Sequence, residues 1–197
     1  MEKESSAASK ILCLMGVAAV VLAWIVIGVS WYLNPWFRFL EDAFSDLGMP
    51  ENTGYWWVYD YGLIVVGLVI MLYGAYTYHW ARHKSEALAA GYIVLAGVFL
   101  ALIGVYPGGT RPHVFVSTWF FVQMDLALIP LTYSLWRNRG WNPAKTLLAL
   151  SILAWPVFIA VEATVGWPSV AAGEAYGIVV IDFIVIGVSL YQCRYLN

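Results

Sequence analysis

Six long runs of apolar residues, separated by short polar segments, dominate the pattern along the chain. A helix needs roughly 20 apolar residues to cross about 30 Å of hydrocarbon at about 1.5 Å per residue. The runs that qualify lie near Ile11–Leu33, Trp57–Tyr78, Ala87–Tyr106, His113–Trp136, Ala144–Val165 and Glu174–Cys193. The pattern predicts an all-α protein, a bundle of six transmembrane helices that forms a single integral membrane domain over residues 1–197.

The longest polar interval between two runs, residues 34–56, predicts a further element. Its apolar positions alternate with polar ones at helical spacing, which indicates a short amphipathic helix in the outer interface, ended near Gly48. Asp46 would then lie at the C-terminal end of this helix, where the helix dipole disfavours an acid, so we expect Asp46 to have another partner. The apolar positions are Trp36, Phe37, Leu40 and Phe44.

Composition and charge agree with a membrane protein and give it an orientation. The chain is 62% hydrophobic and 11% charged, against about half apolar and a quarter charged in soluble domains. Of the 10 Lys and Arg residues, only Arg38 and Arg111 lie in segments on the side of the membrane that carries the first loop. The other eight lie on the opposite side. The positive-inside rule assigns the other side to the cytoplasm, so we expect a multi-pass plasma-membrane protein with both termini inside. Trp167 lies near the outer boundary, as is typical of tryptophans at headgroup level.

The two cysteines, Cys13 and Cys193, lie at opposite ends of the chain and both fall on the predicted cytoplasmic side. Thiols stay reduced in the cytoplasm. We therefore expect no disulfide.

Small residues recur at a spacing of seven within the runs, among them Gly67 and Gly74 in the second and Gly97 and Gly104 in the third. Such stripes let the backbones of neighbouring helices approach closely. We interpret them as packing positions.

Acidic residues are placed unevenly and give the main functional indication. Nine of the 12 lie either on the predicted outer side of the membrane or within the spans. A carboxylate in hydrocarbon is costly, so Asp125 and Asp182 should face the interior of the bundle. The fourth and sixth helices would each present one polar face. These faces form either a sealed polar core or, in the interpretation that we favour, an outward-open cavity with acids at its floor. The candidate site residues are Ser45, Asp46, Asp60, Arg111, His113, Asp125, Glu162 and Asp182.

Known chemical motifs are missing from the sequence. It has no HExxH, no paired CxxC and no GxSxG elbow. We expect no metal site, no cofactor and no nucleic-acid partner, although a cation held by carboxylates and His113 stays open as an alternative.

Four short motifs carry a family resemblance: Phe44-Ser45-Asp46-Leu47-Gly48, Asp60-Tyr61-Gly62, Gly104-x-Tyr106-Pro107 and His113. Together they resemble the prokaryotic membrane-protein family catalogued as domain of unknown function 998, over nearly the whole chain. More distantly, Ser45-Asp46-Leu47-Gly48-Met49-Pro50-Glu51 is similar to a motif in the first external loop of Frag1/DRAM/Sfk1 membrane proteins. That likeness implies a lipid-related function. The residues to which a family role would carry over are Ser45, Asp46, Gly48 and His113.

Several functions fit these observations. The leading hypothesis is a protein that binds a lipid or small amphiphile in the cavity, with Asp46 and His113 at its mouth. The alternatives are a proton- or cation-coupled transporter that uses Asp125 and Asp182, a lipid-headgroup hydrolase with His113 as base, and a structural membrane partner. We also expect Asp46 to approach His113 or Arg111 and to hold the first loop over the fourth helix. The sequence does not predict an oligomeric state.

Overall fold

The computed structural model describes residues 11–194, which contain six long helices and no strand. The helices are α1 (Met15–Leu33), α2 (Trp56–Trp80), α3 (Lys84–Val105), α4 (His113–Arg137), α5 (Ala144–Thr164) and α6 (Val170–Arg194). Each is long and apolar enough to cross a membrane. The six spans and the all-α fold are therefore confirmed, with α6 beginning four residues before the predicted Glu174.

The helices form a ring in chain order, because each contacts the next and α6 contacts α1. The contact between α2 and α3 is the most extensive. A Cβ on Gly97 would lie 2.7 Å from the carbonyl oxygen of Gly67, and a Cβ on Gly104 would overlap the carbonyl of Asp60. The packing role of these glycines is thus confirmed, since any side chain there would force the two backbones apart.

Helix α5 is attached to the ring mainly through its first half. Its buried residues are Ala144, Leu147 and Ser151, and no residue from 152 to 164 is buried. Pro156 lies in this second half, where it removes one backbone donor from the helix. The second half of α5 therefore leaves room between itself and its neighbours.

A disulfide joins Cys13 and Cys193, so the expectation of two reduced thiols is wrong. The ring closes by packing α1 against α6, which brings the two ends of the chain side by side. A sequence separation of 180 residues gives no hint of this contact.

The first loop differs from the predicted interfacial helix, which is not confirmed. Residues 35–41 form turns, and a 3₁₀ helix follows at Phe44–Gly48. Phe37, Phe44 and Leu47 are buried in the bundle, and the rings of Phe37 and Phe44 stack at 5.9 Å. Trp36 and Leu40 are exposed, so only part of the apolar pattern of the loop faces the protein core.

Asp46 lies in the first turn of this 3₁₀ helix, where its Oδ2 accepts a hydrogen bond of 2.8 Å from the Ala43 N–H. The expectation that Asp46 lies at the C-terminal end of a helix is wrong, because the helix starts later than the pattern indicates. An acid at the N-terminal end of a helix is favoured, because the first backbone N–H groups there have no partner within the helix.

At the opposite end of the bundle, Glu86 is fully buried and forms an ion pair with Arg139 at 2.7 Å. The Arg139 guanidinium donates two hydrogen bonds to the carboxylate and stacks over the Trp80 ring at 4.1 Å. The carboxylate also accepts hydrogen bonds from the Ser134 hydroxyl and from the N–H groups of residues 82 and 83. This cluster ties the start of α3 to the end of α4.

Candidate functional site

Two adjoining cavities lie inside the ring. The smaller, of about 100 Å³, is at the centre and is lined by α1, α2, α3, α4, α6 and the 3₁₀ helix. The larger, of about 710 Å³, is bounded mainly by α4, α5 and α6. The residues that line both cavities, and so mark where they meet, are Ser117, Phe121, Glu174 and Ile181.

The larger cavity extends from the first loop to the middle of the bundle. Its lining on α4 runs from Ser117 to Leu128, about 16 Å, and on α6 from Val170 to Ile184, about 21 Å at 1.5 Å per residue. Polar residues are frequent near the loop, whereas Leu128, Ala154 and Ile184 form the deep end. Its volume is within the range of pockets that hold small molecules.

All the formal charge on the wall of this cavity is negative. Among the described residues that line it there is no Lys or Arg, while Glu41, Asp125, Glu162 and Glu174 all contribute. Asp125 lies at the midpoint of the 25-residue helix α4. Within residues 11–194 no hydrogen bond or ion pair involves its carboxylate. An acid at this depth is therefore left without a protein partner.

Four aromatic side chains form one side of the larger cavity, and we call them the aromatic wall: Trp155, Phe158, Trp167 and Tyr176. Their neighbouring ring centroids are 5.2 to 6.4 Å apart. Two of the three polar tips of the wall are already bonded, since Trp167 Nε1 donates to the Phe158 carbonyl and the Tyr176 hydroxyl donates to the Ala154 carbonyl. What the wall offers to a ligand is therefore mainly aromatic carbon surface.

His113 lies on the smaller cavity, together with Ser45 and Glu174. It is the first residue of α4 and is buried. Its Nδ1 is 2.8 Å from the carbonyl oxygen of Tyr106. Because a carbonyl can only accept, Nδ1 carries the proton, and in the neutral ring Nε2 is left as the acceptor. The imidazole is thus oriented as a base would be.

Asp182 also lines the smaller cavity, at the midpoint of the 25-residue helix α6. Its Oδ2 accepts a hydrogen bond of 2.7 Å from the indole N–H of Trp24, which is the midpoint of α1. Asp125 and Asp182 both face the interior, so the prediction for these two acids is confirmed.

The first loop is attached to the start of α6. The backbone N–H of Phe44 donates to Glu174 Oε2 at 3.0 Å, and the Ser169 hydroxyl donates to the Phe39 carbonyl at 2.6 Å. A third bond joins the Ala171 N–H to the carbonyl of Asp42 at 3.0 Å. These contacts hold the first loop over the cavities: Phe44 and Ser45 of the 3₁₀ helix line the smaller one, and Glu41 lines the larger one.

The expected attachment through Asp46 is wrong. In the part of the chain that the structure describes, Asp46 forms no ion pair with Arg111 or His113. Its carboxylate is occupied by the Ala43 N–H, and Nδ1 of His113 by the Tyr106 carbonyl. Asp46 therefore supports the loop through its own turn.

The structure brings most, but not all, of the predicted site residues to the cavities. Asp125 and Glu162 line the larger one, and Ser45, His113 and Asp182 line the smaller one. The other three, Asp46, Asp60 and Arg111, line neither. Sequence reasoning did not select Glu41, Glu174 or the aromatic wall.

The motifs that carry the family resemblance meet at the end of the bundle that carries the first loop. Gly48 lies directly against the Asp60 carboxylate, where a Cβ would overlap it. A Cβ on Gly108 would lie 2.8 Å from the carbonyl oxygen of Ser45. The 3₁₀ helix is thus held between α2 and the turn that precedes His113.

Metal-ligating residues do not cluster in the described part of the chain: no three His, Cys, Asp or Glu side chains there are close enough to hold one ion. The chemistry that the site offers is that of carboxylates, one imidazole and aromatic faces.

Comparison with known proteins gives a family and no activity. No curated protein and no solved structure matches the chain. Residues 17–191 match the model of the family described as protein of unknown function (DUF998). Because this match covers nearly all of the six-helix bundle, the chain belongs to the DUF998 family.

Proposed function

We propose that this protein binds a membrane amphiphile, a lipid or a similar molecule, in the larger cavity. The observation that carries the proposal is the distribution of polarity along that cavity. Glu41, Glu162, Glu174 and the hydroxyls lie near the first loop, Asp125 lies about 12 Å from Ser117 along α4, and Leu128, Ala154 and Ile184 form the deep end. A head group between the loop and Asp125, and an apolar chain against the deep end and the aromatic wall, would each meet matching surroundings.

The loose half of α5 supports entry from the bilayer. No residue from 152 to 164 of this helix is buried, although Ala154, Trp155 and Phe158 line the cavity. A small outward movement of this half, with loss of its hydrogen bonds and ring contacts to Trp167 and Tyr176, would open a gap toward lipid. A membrane-resident ligand could then enter sideways, with its head group travelling near the surface.

The proposal is tested by native mass spectrometry of the full chain purified in a mild nonionic detergent. Val180 lines the cavity, whereas its neighbour Val179 is 54% exposed on the outer face of α6. We expect Val180→Trp to remove copurified lipid and Val179→Trp to retain it. Equal lipid retention by the two variants would reject the larger cavity as the binding site.

A second candidate function, proton- or cation-coupled transport, is favoured by one observation. Asp125 and Asp182 lie at the midpoints of two 25-residue spans, and ionisable residues at this depth commonly mark ion pathways. In this function the cavity would serve as the outer half of a pathway. Ion-dependent uptake by reconstituted protein that is lost in Asp125→Asn would favour transport over binding alone.

We further propose that residues 1–197 form a single domain in the plasma membrane, with both termini in the cytoplasm and the first loop outside. The Lys and Arg count supports this orientation. The disulfide between Cys13 and Cys193 favours the opposite one, because such bonds persist in oxidising compartments. We give more weight to the count, since it rests on residues in several separate loops, whereas the disulfide involves one pair at the chain ends.

A further inference from the structure

We infer that the amphiphile bound in the larger cavity carries an ammonium group on its head. This inference rests on the proposed function and specifies the class of ligand. It follows from the combination, on one cavity surface, of unbalanced carboxylates with the ring faces of the aromatic wall. The ammonium would lie between Asp125 and the wall, and the alkyl chain would contact Leu128, Ile184 and the ring faces.

The charge of the cavity favours a cation. Glu174 accepts a hydrogen bond from the Phe44 N–H, and Glu41 is paired with Arg38 at the surface. Asp125 has no such partner within residues 11–194 and lies at the midpoint of its span. A carboxylate at this depth is stabilised by a nearby positive charge, and no described Lys or Arg on the cavity surface supplies one. The ammonium group of a ligand would supply this positive charge.

The same charges disfavour the other common head groups. A phosphate or carboxylate head without a cation would meet the acids of the wall in a setting of low dielectric constant, where like charges repel strongly. An uncharged head would leave Asp125 without a counter-charge. Selectivity would therefore come from repulsion of anionic lipids as well as from attraction of the ammonium.

The aromatic wall provides the second, independent contribution. The face of an aromatic ring carries negative electrostatic potential and attracts cations, most strongly for Trp. Trp167 and Phe158 stack at 5.4 Å, and Trp167 and Tyr176 are 5.2 Å apart, so the rings adjoin one another along the cavity. Tyr176 and Asp125 line the same cavity. One ammonium could thus contact a ring face while it approaches the carboxylate.

Two sources could supply this chemistry: a membrane phospholipid with an ethanolamine head, or a single-chain alkylammonium compound. The test uses the full chain in nonionic detergent, with binding followed by native mass spectrometry. The probes are phosphatidylethanolamine and phosphatidylglycerol with identical acyl chains, and dodecyltrimethylammonium as a competitor. We expect phosphatidylethanolamine to bind about tenfold more tightly than phosphatidylglycerol, a difference of about 1.4 kcal/mol.

Matched variants separate the contribution of the Asp125 carboxylate from that of the aromatic wall. Asp125→Asn should abolish most of the head-group preference, whereas Glu51→Gln, which alters an exposed acid outside the cavity, should leave it unchanged. Trp167→Leu should also reduce the preference, and Trp57→Leu, at a 49% exposed residue that lines neither cavity, should not. Thermal unfolding reports whether each variant folds. If Trp167→Leu does not fold, the near-isosteric Asp125→Asn variant alone decides the test.

The outcomes distinguish this inference from the proposed function. If Val180→Trp removes lipid but the unaltered protein shows equal affinity for the two phospholipids, or prefers phosphatidylglycerol, the ammonium is rejected and amphiphile binding stands. If Val180→Trp changes nothing, both fail. Displacement of phosphatidylethanolamine by dodecyltrimethylammonium supports a general alkylammonium site, and a preference without displacement supports an aminophospholipid site.

Discussion

Replacing Glu86 by Gln should destabilise the bundle by about 3 kcal/mol, because it breaks a buried ion pair by removing one partner. The carboxylate is fully buried and accepts five hydrogen bonds, two of them from Arg139, whose side chain is 12% exposed. Gln keeps the volume but loses the charge, and its amide NH₂ would face donors. Leaving one charge of a buried pair without its partner generally costs about 3–5 kcal/mol, and the partial exposure of Arg139 favours the lower end.

The exposed pair Arg38–Glu41 provides a matched control, because its side chains are 69% and 61% exposed. Glu41→Gln should cost less than about 1 kcal/mol. Equilibrium unfolding of the purified protein in mixed micelles, followed by tryptophan fluorescence, gives both values. If Glu86→Gln and Glu41→Gln cost the same, or if the double variant with Arg139→Leu is as unstable as the sum of the single changes, the argument from a buried pair is wrong.

Other contacts give further expectations. Glu174→Gln should weaken the bond to the first loop and increase hydrogen exchange at residues 34–48, with exchange in α3 unchanged; equal protection in both proteins would contradict the role of this carboxylate. Gly97→Ala should lower stability by about 1–3 kcal/mol, because its Cβ would meet the α2 backbone, whereas Gly91→Ala, with nothing within 4 Å, should be neutral or stabilising. With the native cysteines replaced, a membrane-impermeant maleimide applied to cells should label Gly54→Cys and not Lys84→Cys, and the reverse pattern would invert the orientation.

The features that the sequence predicts well are those that the bilayer imposes. The six spans follow from helix length and hydrocarbon thickness alone, which require no knowledge of how the helices pack. The inward placement of Asp125 and Asp182 follows from the cost of a carboxylate in lipid. The glycines at positions 67 and 97 are placed correctly because each forms a seven-residue spacing, with Gly74 and Gly104 respectively, that marks one face of its own helix.

The features that it misses depend on which helices become neighbours. Cys13 meets Cys193 only because α6 closes the ring against α1. Phe37 and Phe44 of the first loop turn inward and pack in the core, so two of the apolar positions that predict an interfacial helix instead fill a core. Trp167, which the sequence assigns to the membrane interface, lines the cavity, where its ring packs against those of Phe158 and Tyr176.

The structure also separates two acids that the sequence treats alike. Asp125 and Asp182 lie at the same depth in helices of equal length. Asp182 receives a hydrogen bond from Trp24 and lines a cavity of about 100 Å³, with room for only a few water molecules. Asp125 receives no bond from the described residues and lines a cavity of about 710 Å³ beside the aromatic wall. The first acid is therefore best suited to joining α1 and α6, and the second to meeting a ligand.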